Sequence, residues 1–315
     1  MKQNALIIGA AGFVGGYLAR ELLSNGFHVS LTKLPFENIN IENTDVFNCD
    51  VTSYNSVYET VTAVQPDVIY HLAAQSSVKV SWEKPSLTLD INVNGTLNLL
   101  EVCRTLPSEN RPRILLIGSA EEYGKVTPDM CPINEECSCN PANIYALSKL
   151  TQNHLGRLYA SAYGLDIINV RAFNHTGPGQ SPSFVLSDFC RQVAEIERGR
   201  KTPIIRVGNL DAKRDFTDVR DIVKAYILLS EKGKSGETYN VGSGKAISIS
   251  ELLSEVLSTS DTEIKIETDP EKLRPSDVPL HVADISKIRE ETGWTPTIPL
   301  SKTIKDTLEA HRDNI

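Results

Sequence analysis

The chain has 315 residues, of which 40% are hydrophobic and 23% are charged. This length and composition predict one large α/β domain, or one such domain with a smaller second lobe. The net charge of −8 argues against a nucleic-acid partner, although a local basic pocket could hold a small anion. No apolar run is long enough to span a bilayer, and residues 1–8 read as a first strand rather than a signal peptide. We therefore expect a cytoplasmic protein with no membrane partner.

The first half of the chain alternates β-rich runs with helical patterns. The predicted strands cover residues 5–8, 29–31, 67–70, 114–117 and 167–170. The predicted helices include residues 14–22, 94–105 and 145–163. Parallel strands are joined by right-handed crossovers that contain a helix, so this alternation predicts a doubly wound parallel sheet of Rossmann type, an α/β fold.

After about residue 175 the predicted units become shorter. Strands are predicted over residues 204–207, 239–241 and 264–266, and helices over residues 219–231, 249–257, 284–291 and 303–312. There is no internal repeat and no long linker between the halves. We therefore expect a dinucleotide-binding domain over residues 1–175, with contributions from about 210–242. A smaller α/β substrate lobe, about 176–315, would be interleaved with it.

The six cysteines do not predict a disulfide framework, because such frameworks belong to much shorter secreted chains. Cys131, Cys137 and Cys139 crowd one predicted loop, which raises the alternative of a zinc site. The segment has no CxxC pair and no nearby histidine, so an ordinary loop is favoured and no metal is expected.

A glycine-rich segment follows the first predicted strand and opens the first helix. Gly9, Gly12 and Gly15 recur at a spacing of three, and Phe13 and Val14 begin the helix. Glycines allow a tight turn and close backbone approach to a pyrophosphate, which the free N–H groups of a helix N-terminus attract. Three glycines alone are weak evidence, but strand, loop and helix occur in the order that dinucleotide binding requires.

Thr32 and Lys33 stand at the end of the second strand, where NAD-binding proteins place an acid for the adenosine ribose. The missing carboxylate, together with the lysine, favours NADP(H), because an ammonium group attracts a 2′-phosphate. A solvated surface lysine is the alternative. Asp50 and Val51, after the third strand, could meet the adenine edge, although Asp50 could instead cap the following helix.

Tyr145 and Lys149 stand four residues apart and therefore share one helix face. A phenol has a pKa of about 10, and we expect the neighbouring ammonium to lower the pKa of Tyr145. Ser119 follows the strand over residues 114–117, and its hydroxyl could hold a substrate carbonyl at the carboxyl edge of the sheet. A Tyr-xxx-Lys pair alone is common on amphipathic helices; its occurrence after a glycine loop and this serine predicts catalysis.

Five segments together resemble the extended short-chain dehydrogenases/reductases over nearly the whole chain. They are the glycine loop, residues 71–74, residues 92–96, residues 119–124 and the Tyr145–Lys149 pair. The resemblance implies further cofactor contacts from Leu72, Ala73, Ala74, Tyr145 and Lys149.

Three later segments, residues 173–180, 214–221 and 274–278, resemble the GDP-mannose branch of that family. The resemblance implies that Asn174 holds the diphosphate region of a nucleotide sugar, and that Ser76 is a further substrate contact. It also implies that Arg214 and Arg274 bind phosphate or ribose oxygens, and that Asp277 accepts hydrogen bonds from ribose hydroxyls. The charged residues among these could instead form surface ion pairs.

A homodimer is also implied by the resemblance, with the helices over residues 94–105 and 145–163 pairing with their copies. Four leucines on these helices offer apolar surface for a two-fold contact: Leu97, Leu100, Leu150 and Leu158. The alternative is that these side chains all face the sheet.

The branch contains 4,6-dehydratases and 4-ketosugar reductases, and the residues around Glu121 bear on the choice. A dehydratase needs a base near C5 and an acid for the departing C6 hydroxyl; Glu121 could be that base, but Ala120 stands where dehydratases have a polar residue. We therefore expect NADPH-dependent reduction of GDP-4-keto-6-deoxy-D-mannose to GDP-D-rhamnose, or to GDP-6-deoxy-D-talose. A dehydratase and another nucleotide-sugar epimerase or reductase are the alternatives. A non-catalytic NADP-binding regulator is remote, because Ser119, Tyr145 and Lys149 are all present.

Overall fold

The computed structural model of the protein describes residues 3–272 and 279–314. The strands, in chain order, are β1 (Asn4–Ile8), β2 (His28–Lys33), β3 (Thr44–Asn48), β4 (Val68–His71), β5 (Arg113–Ile117), β6 (Ile167–Ala172), β7 (Asn174–Thr176), β8 (Ile204–Val207), β9 (Lys213–Asp218), β10 (Thr238–Val241), β11 (Ala246–Ser248), β12 (Lys265–Thr268) and β13 (Leu280–His281). The α-helices are α1 (Phe13–Ser24), α2 (Tyr54–Val64), α3 (Val78–Glu83), α4 (Pro85–Leu89), α5 (Gly95–Thr105), α6 (Ile144–Tyr163), α7 (Val185–Glu197), α8 (Val219–Lys232), α9 (Ile249–Leu257), α10 (Ser286–Thr292) and α11 (Leu300–Asn314).

Seven strands form one parallel sheet in the order β10-β6-β5-β4-β1-β2-β3. Every residue of β4, β6 and β10 is buried, so these strands have no solvent-facing side. Sheets of this kind need helices on both faces. The predicted doubly wound α/β fold is confirmed.

Two helical layers bury the two faces of the sheet. On one face, Leu18 and Leu22 of α1 pack with Ile222 of α8 against the central strands. On the other face, Val57 of α2 and Leu99 of α5 belong to a second core beside α6. Strand β1 lies between β4 and β2, so the strand order reverses at β1. The crossover helices on the two sides of this point lie on opposite faces of the sheet, which leaves a crevice at the carboxyl ends of β1, β4 and β5.

The second half of the chain adds a smaller lobe at this edge. Strand β9 pairs with β7, β11 and β13, while β8 pairs with β12. Helices α7, α9 and α11 enclose an apolar core that includes Phe189, Leu252 and Leu308. Helix α8 and strand β10 return to the large sheet, so the chain passes between the two parts more than once.

Some elements differ from the sequence expectation. Strand β9 was not predicted, because its residues are mostly polar; its buried Asp215 is satisfied by hydrogen bonds from the segments around Ser243 and Ala283. Helix α5 begins after a π-helical turn, Asp90–Asn94. Helix α11 begins at Leu300, three residues before the predicted start at residue 303. Short strands such as β11 and β13 are too brief to show an alternating pattern.

Within the described ranges, no helix is both long and apolar enough to cross a bilayer. The same residues hold no group of three His, Cys, Asp or Glu side chains able to bind a metal ion. All six cysteines are free thiols, including the three of the loop before α6.

Candidate active site

The glycine loop lies between β1 and α1, at the carboxyl edge of the sheet. Gly9 has a φ of +83°, and a Cβ there would lie 2.5 Å from the Cα of Ala73. A Cβ on Gly15 would lie 2.2 Å from the carbonyl oxygen of Ala10. Gly12 is the N-cap of α1 and supplies no side-chain cap, so the first N–H groups of the helix are available to an anion. This cradle fits the pyrophosphate of a dinucleotide.

The segment after β4 closes the other side of the glycine loop. The backbone N–H groups of Leu72 and Ala73 both donate to the carbonyl oxygen of Ile8 at 2.9 Å. Ala74 is partly buried, while Ser76 is exposed at the crevice. Buried Asn92 holds this segment, because its amide exchanges hydrogen bonds with the backbone of Gln75.

The first residues of α1 face the second lobe. The ring of Phe13 is parallel to the ring of His175, with centroids 6.4 Å apart. Val14 is partly buried against the apolar core beneath the sheet. Phe13 and Val14 therefore anchor α1 by their side chains, and their contact with a cofactor stays a prediction.

Thr32 and Lys33 occupy different environments at the end of β2. Thr32 is buried, and its hydroxyl accepts a hydrogen bond from the N–H of Gly9 at 2.9 Å. This hydrogen bond supports the glycine loop from behind. The ammonium of Lys33 donates to the carbonyl oxygen of Glu37 at 2.9 Å and to that of Leu34 at 3.4 Å. The same turn holds the carboxylate of Glu37, which accepts from the N–H of Leu34 at 2.8 Å, so it carries one charge of each sign.

Asp50 and Val51 follow β3. The carboxylate of Asp50 accepts hydrogen bonds from the N–H and the hydroxyl of Thr52, and the cap of α2 is Ser53. The alternative that Asp50 caps this helix is therefore wrong, because a residue nearer the helix takes that position. Val51 is buried against Gly95, where a Cβ would lie 2.8 Å from a Val51 methyl group.

Ser119, Tyr145 and Lys149 come together over the end of β5. The side chain of Asn143 accepts a hydrogen bond from the N–H of Ala146 at 2.8 Å, so α6 begins directly before Tyr145. The phenol of Tyr145 lies beside the hydroxyl of Ser119. The ammonium of Lys149 donates to the carbonyl oxygen of Ile117 at 2.7 Å.

The electrostatics of this group differ from the sequence expectation. Burial raises the pKa of Tyr145 to about 12, and the neighbouring hydroxyl of Ser119 opposes the rise only in part. The expected lowering by Lys149 is wrong for this arrangement, because the ammonium is directed to the carbonyl of Ile117. Burial also lowers the pKa of Lys149 to about 8, against the attraction of Glu122. At neutral pH the phenol is therefore a proton donor.

Glu121 lies beside this group at the rim of the crevice. Its N–H donates to the hydroxyl of Ser119 at 3.2 Å, and its carboxylate accepts from the amide of Asn143 at 3.3 Å. Ala120 is buried, and its methyl side chain has no polar group. In residues 120 and 121, the Glu121 carboxylate, held by the Asn143 amide, is therefore the acidic group beside Ser119.

The predicted substrate residues are only partly brought together. Asn174 is exposed at the start of β7, directly after β6. Arg214 is partly buried in β9, donates to the carbonyl oxygen of Lys213, and lowers the pKa of His281 in addition to the effect of burial. Arg274 and Asp277 lie outside the described residues.

Three residues of this region were not singled out from the sequence: Asn92, Glu122 and Arg171. Asn92 also donates to the hydroxyl of Ser148, beside Lys149, and lies within the predicted motif 92–96. Glu122 and Arg171 form a buried ion pair of 2.9 Å. A charged residue inside an apolar strand, as Arg171 is in β6, was the signal that could have identified this pair.

The fold, the glycine loop and the Ser–Tyr–Lys group define an extended short-chain dehydrogenase/reductase. The model of the family described as GDP-mannose 4,6 dehydratase matches residues 6–307. The chain therefore belongs to the GDP-mannose 4,6-dehydratase family, as its motifs predicted, and is an enzyme of the extended short-chain class.

Relatives with both activities of the branch align along nearly the whole chain. GDP-6-deoxy-D-mannose reductase of Pseudomonas aeruginosa is 34% identical over 310 residues, which covers 98% of this chain and 96% of the relative. GDP-mannose 4,6 dehydratase 2 of Arabidopsis thaliana is 31% identical over 323 residues, which covers 96% of this chain and 85% of the relative. The solved structure of RMD from Pseudomonas aeruginosa complexed with NADPH superposes with a TM-score of 0.88 at 31% identity, covering 100% of each chain.

Proposed function

We propose that this enzyme is an NADPH-dependent reductase of the C4 ketone of GDP-4-keto-6-deoxy-D-mannose, with GDP-D-rhamnose as product. The observation that carries the proposal is a phenol kept protonated beside Ser119, in a segment where Ala120 leaves no second proton-handling group. Binding of the sugar through its other face would give GDP-6-deoxy-D-talose. The chemistry at C4 would otherwise be the same.

The comparisons support the reductase over the dehydratase. The alignment with the Pseudomonas reductase spans 310 positions and nearly the full length of both chains. The alignment with the Arabidopsis dehydratase needs 323 positions, more than the 315 residues of this chain, so that relative contains inserted residues. The chain thus lacks segments that the dehydratase has.

The side chains of the site have distinct roles in the proposed reaction. Bound NADPH supplies the hydride that C4 receives. The Ser119 hydroxyl donates to the ketone oxygen, and Tyr145 gives the proton that converts the developing alkoxide to an alcohol. Lys149 holds the nicotinamide ribose. The free N–H groups after Gly12 hold the pyrophosphate.

The sugar nucleotide would lie between the sheet edge and the second lobe. Ser76 and Glu121 are proposed to contact the sugar: Ser76 is exposed, and the N–H of Glu121 donates to the Ser119 hydroxyl. Asn174 and Arg214 are proposed for the diphosphate and the nucleoside. We retain the proposal for Arg274 and Asp277 on the motif alone.

The cofactor preference is proposed to come from Lys33. No acidic residue ends β2, and the turn carbonyls hold the Lys33 ammonium at that place. The carboxylate of Glu37 lies in the same turn but is bound to the N–H of Leu34. The Lys33 ammonium would attract a 2′-phosphate, whereas a carboxylate in place of Lys33 would repel it. Asp50 and Val51 would then border the adenine.

The proposed assembly is a homodimer in which α5 and α6 pair with their copies, on a face that α3 and α4 extend beside α6. Trp82, Leu158 and Leu147 are exposed on this face by 62%, 61% and 43%. Leu97 and Leu150 are partly buried, while Leu100 faces the core and cannot contribute. A group of exposed large apolar side chains on one face is typical of a protein interface.

The free thiols support our prediction of a cytoplasmic enzyme.

The decisive experiment separates reduction from elimination. A dehydratase returns its hydride to the sugar and consumes no NADPH, whereas a reductase consumes one NADPH for each ketosugar. The wild-type enzyme and Glu121→Gln are given GDP-4-keto-6-deoxy-D-mannose with NADPH, and GDP-mannose without it. We expect Glu121→Gln to keep NADPH oxidation within about tenfold, the scale of one modest hydrogen bond.

Formation of a 4-keto product from GDP-mannose without added NADPH, and its loss in Glu121→Gln, would establish the dehydratase instead. The matched control is Glu136→Gln, which changes an exposed glutamate in the loop before α6. It should leave both measurements as in the wild type.

A further inference from the structure

Glu122 is a completely buried carboxylate directly behind the proposed active site. It lies in a single 3-10 turn, Ala120–Tyr123, that follows Ser119. One carboxylate oxygen accepts a hydrogen bond from the N–H of Ser119 at 2.9 Å, and the other accepts from the Nε of Arg171 at 2.9 Å. A buried charge is tolerated only when it is paired in this way.

Arg171 is held on its other sides as well. Its Nη1 donates to the carbonyl oxygen of Glu135 at 3.2 Å, and its guanidinium lies 4.6 Å from the ring centroid of Tyr123. The hydroxyl of Tyr123 in turn donates to the amide oxygen of Asn240 at 2.7 Å. The pair therefore joins β6 and β10 to the turn that carries Ser119, and neither side chain can reorient without breaking several contacts.

The backbone that precedes Ser119 is shaped to accept this carboxylate. A Cβ on Gly118 would lie 2.3 Å from a carboxylate oxygen of Glu122 and 2.5 Å from the carbonyl oxygen of Val170. Any residue with a side chain would displace the glutamate or the strand. Glu122 thus touches the chain at the residue where β5 leads into the site.

Glu122 and Lys149 hold the same short stretch of backbone: the carboxylate accepts from the N–H of Ser119, and the ammonium donates to the carbonyl oxygen of Ile117. The groups around this ammonium are the carbonyl oxygen of Ile117, the amide oxygen of Gln152 and the imidazole of His71. Burial lowers the pKa of His71 to about 3 and raises that of Tyr145 to about 12, so both are neutral between these values. Glu122 therefore provides the negative charge that attracts Lys149.

The protonation of Glu122 itself fits this role. Burial raises the pKa of Glu122 to about 7, while Arg171, the Ser119 N–H and Lys149 all favour the anion. With the guanidinium at 2.9 Å, the carboxylate is charged in the pH range where Lys149 titrates.

We propose that Glu122 and Arg171 are positioning residues for ketone reduction: the buried carboxylate fixes the Ser119 backbone and supplies the counter-charge that keeps Lys149 an ammonium. This inference rests on the proposed function only for its kinetic part. Neither residue touches the substrate, so both act through Ser119 and Lys149.

The test makes two measurements on the wild type and on Glu122→Gln between about pH 6 and about pH 10, a range that brackets the Lys149 pKa of about 8. One is kcat for ketosugar reduction; the other is the affinity for NADPH, read from nicotinamide fluorescence. Loss of the carboxylate charge lowers the pKa of Lys149, so the alkaline fall of both quantities should move to lower pH. A shift of about one unit leaves about fivefold less ammonium at pH 8.

Glu197→Gln is the control, because Glu197 forms an ion pair with Arg312 between α7 and α11, in the second lobe. It should leave the alkaline limb in place. If Glu122→Gln does not fold, the variant Glu122→Leu/Arg171→Met replaces both charges with apolar groups, an exchange that buried pairs often tolerate. Its alkaline limb should move in the same direction, and its kcat should fall because the Ser119 N–H loses its acceptor.

If Glu122→Gln lowers the melting temperature but leaves the alkaline fall of kcat and of NADPH affinity at the wild-type pH, the pair has only a structural role and the inference is overturned. If the alkaline fall of NADPH affinity moves to lower pH but the enzyme reduces no ketosugar, the inference holds and the proposed reaction is refuted. The two failures are therefore distinguishable.

Discussion

Replacing Tyr145 by Phe removes the proposed proton donor and little else. The Ser119 hydroxyl keeps the hydrogen bond from the N–H of Glu121 at 3.2 Å, so it stays in place without the phenol. The pKa of Tyr145 is about 12, so practically every wild-type molecule has a proton to give at pH 7. The substitution therefore tests proton donation from a site that is otherwise intact.

The expected loss follows from the contribution of a general acid. Such groups contribute about 10²–10⁴-fold, which corresponds to about 2.7–5.4 kcal/mol of activation free energy at about 1.36 kcal/mol per tenfold. Tyr145 is only partly buried, so a water molecule can occupy the place of the phenol oxygen and donate in its stead. We therefore expect a loss of about 10²–10³-fold in kcat.

Single-turnover oxidation of NADPH, followed by its absorbance, measures the chemical step directly. The dissociation constants of NADPH and of the sugar nucleotide should change by less than about threefold, since the phenol contributes little to binding either. The reasoning is refuted if the variant keeps more than about a tenth of the wild-type rate, because another group then protonates the alkoxide.

Tyr58→Phe is the matched control for this prediction. Tyr58 lies on α2 and is 44% exposed. Removing its hydroxyl should leave both kcat and the melting temperature unchanged.

Three further predictions concern the pH profile, the cofactor and the assembly. The rate of reduction should fall above pH 8, because Lys149, with a pKa of about 8, loses its charge as the pH rises while the phenol stays protonated; a profile level to pH 10 would contradict this. Lys33→Ala should weaken NADPH about tenfold and leave NADH unchanged, measured by fluorescence titration, and equal weakening of both would exclude contact with the 2′-phosphate. Leu158→Glu should give a monomer by light scattering at micromolar concentration while Ile266→Glu, in exposed β12, should not; a monomeric wild type would refute the dimer.

The parts of the site that the sequence predicted are those set by local spacing. The four-residue interval between Tyr145 and Lys149 places both on one face of α6 whatever the rest of the chain does. The glycine loop is similar in part, because Gly15 meets the backbone of Ala10 within the β1–α1 turn, whereas Gly9 meets Ala73 after β4. The regular alternation of apolar strands and helices predicted the sheet, because buried parallel strands need nearly continuous apolar runs.

Other features depend on segments that are far apart in the chain. Glu122 and Arg171 are 49 residues apart, and neither carries a signal of the other. Thr32 turns toward Gly9 and Lys33 toward the carbonyl of Glu37, a difference that their adjacency does not reveal. Of the leucines considered for the dimer, Leu100 is buried and Leu158 exposed, although both lie on helices with the same apolar periodicity.

The protonation states were decided by the tertiary structure alone. From the sequence, Lys149 should lower the pKa of Tyr145, as an isolated pair on a helix would. In the folded chain, burial raises the pKa of the phenol, and the carbonyl of Ile117 draws the ammonium away from it. Spacing along a helix is fixed by covalent geometry, whereas desolvation and long-range pairing depend on which surfaces the whole fold brings together. The sequence by itself therefore determined which groups could react, and the tertiary structure decided which of them holds the proton.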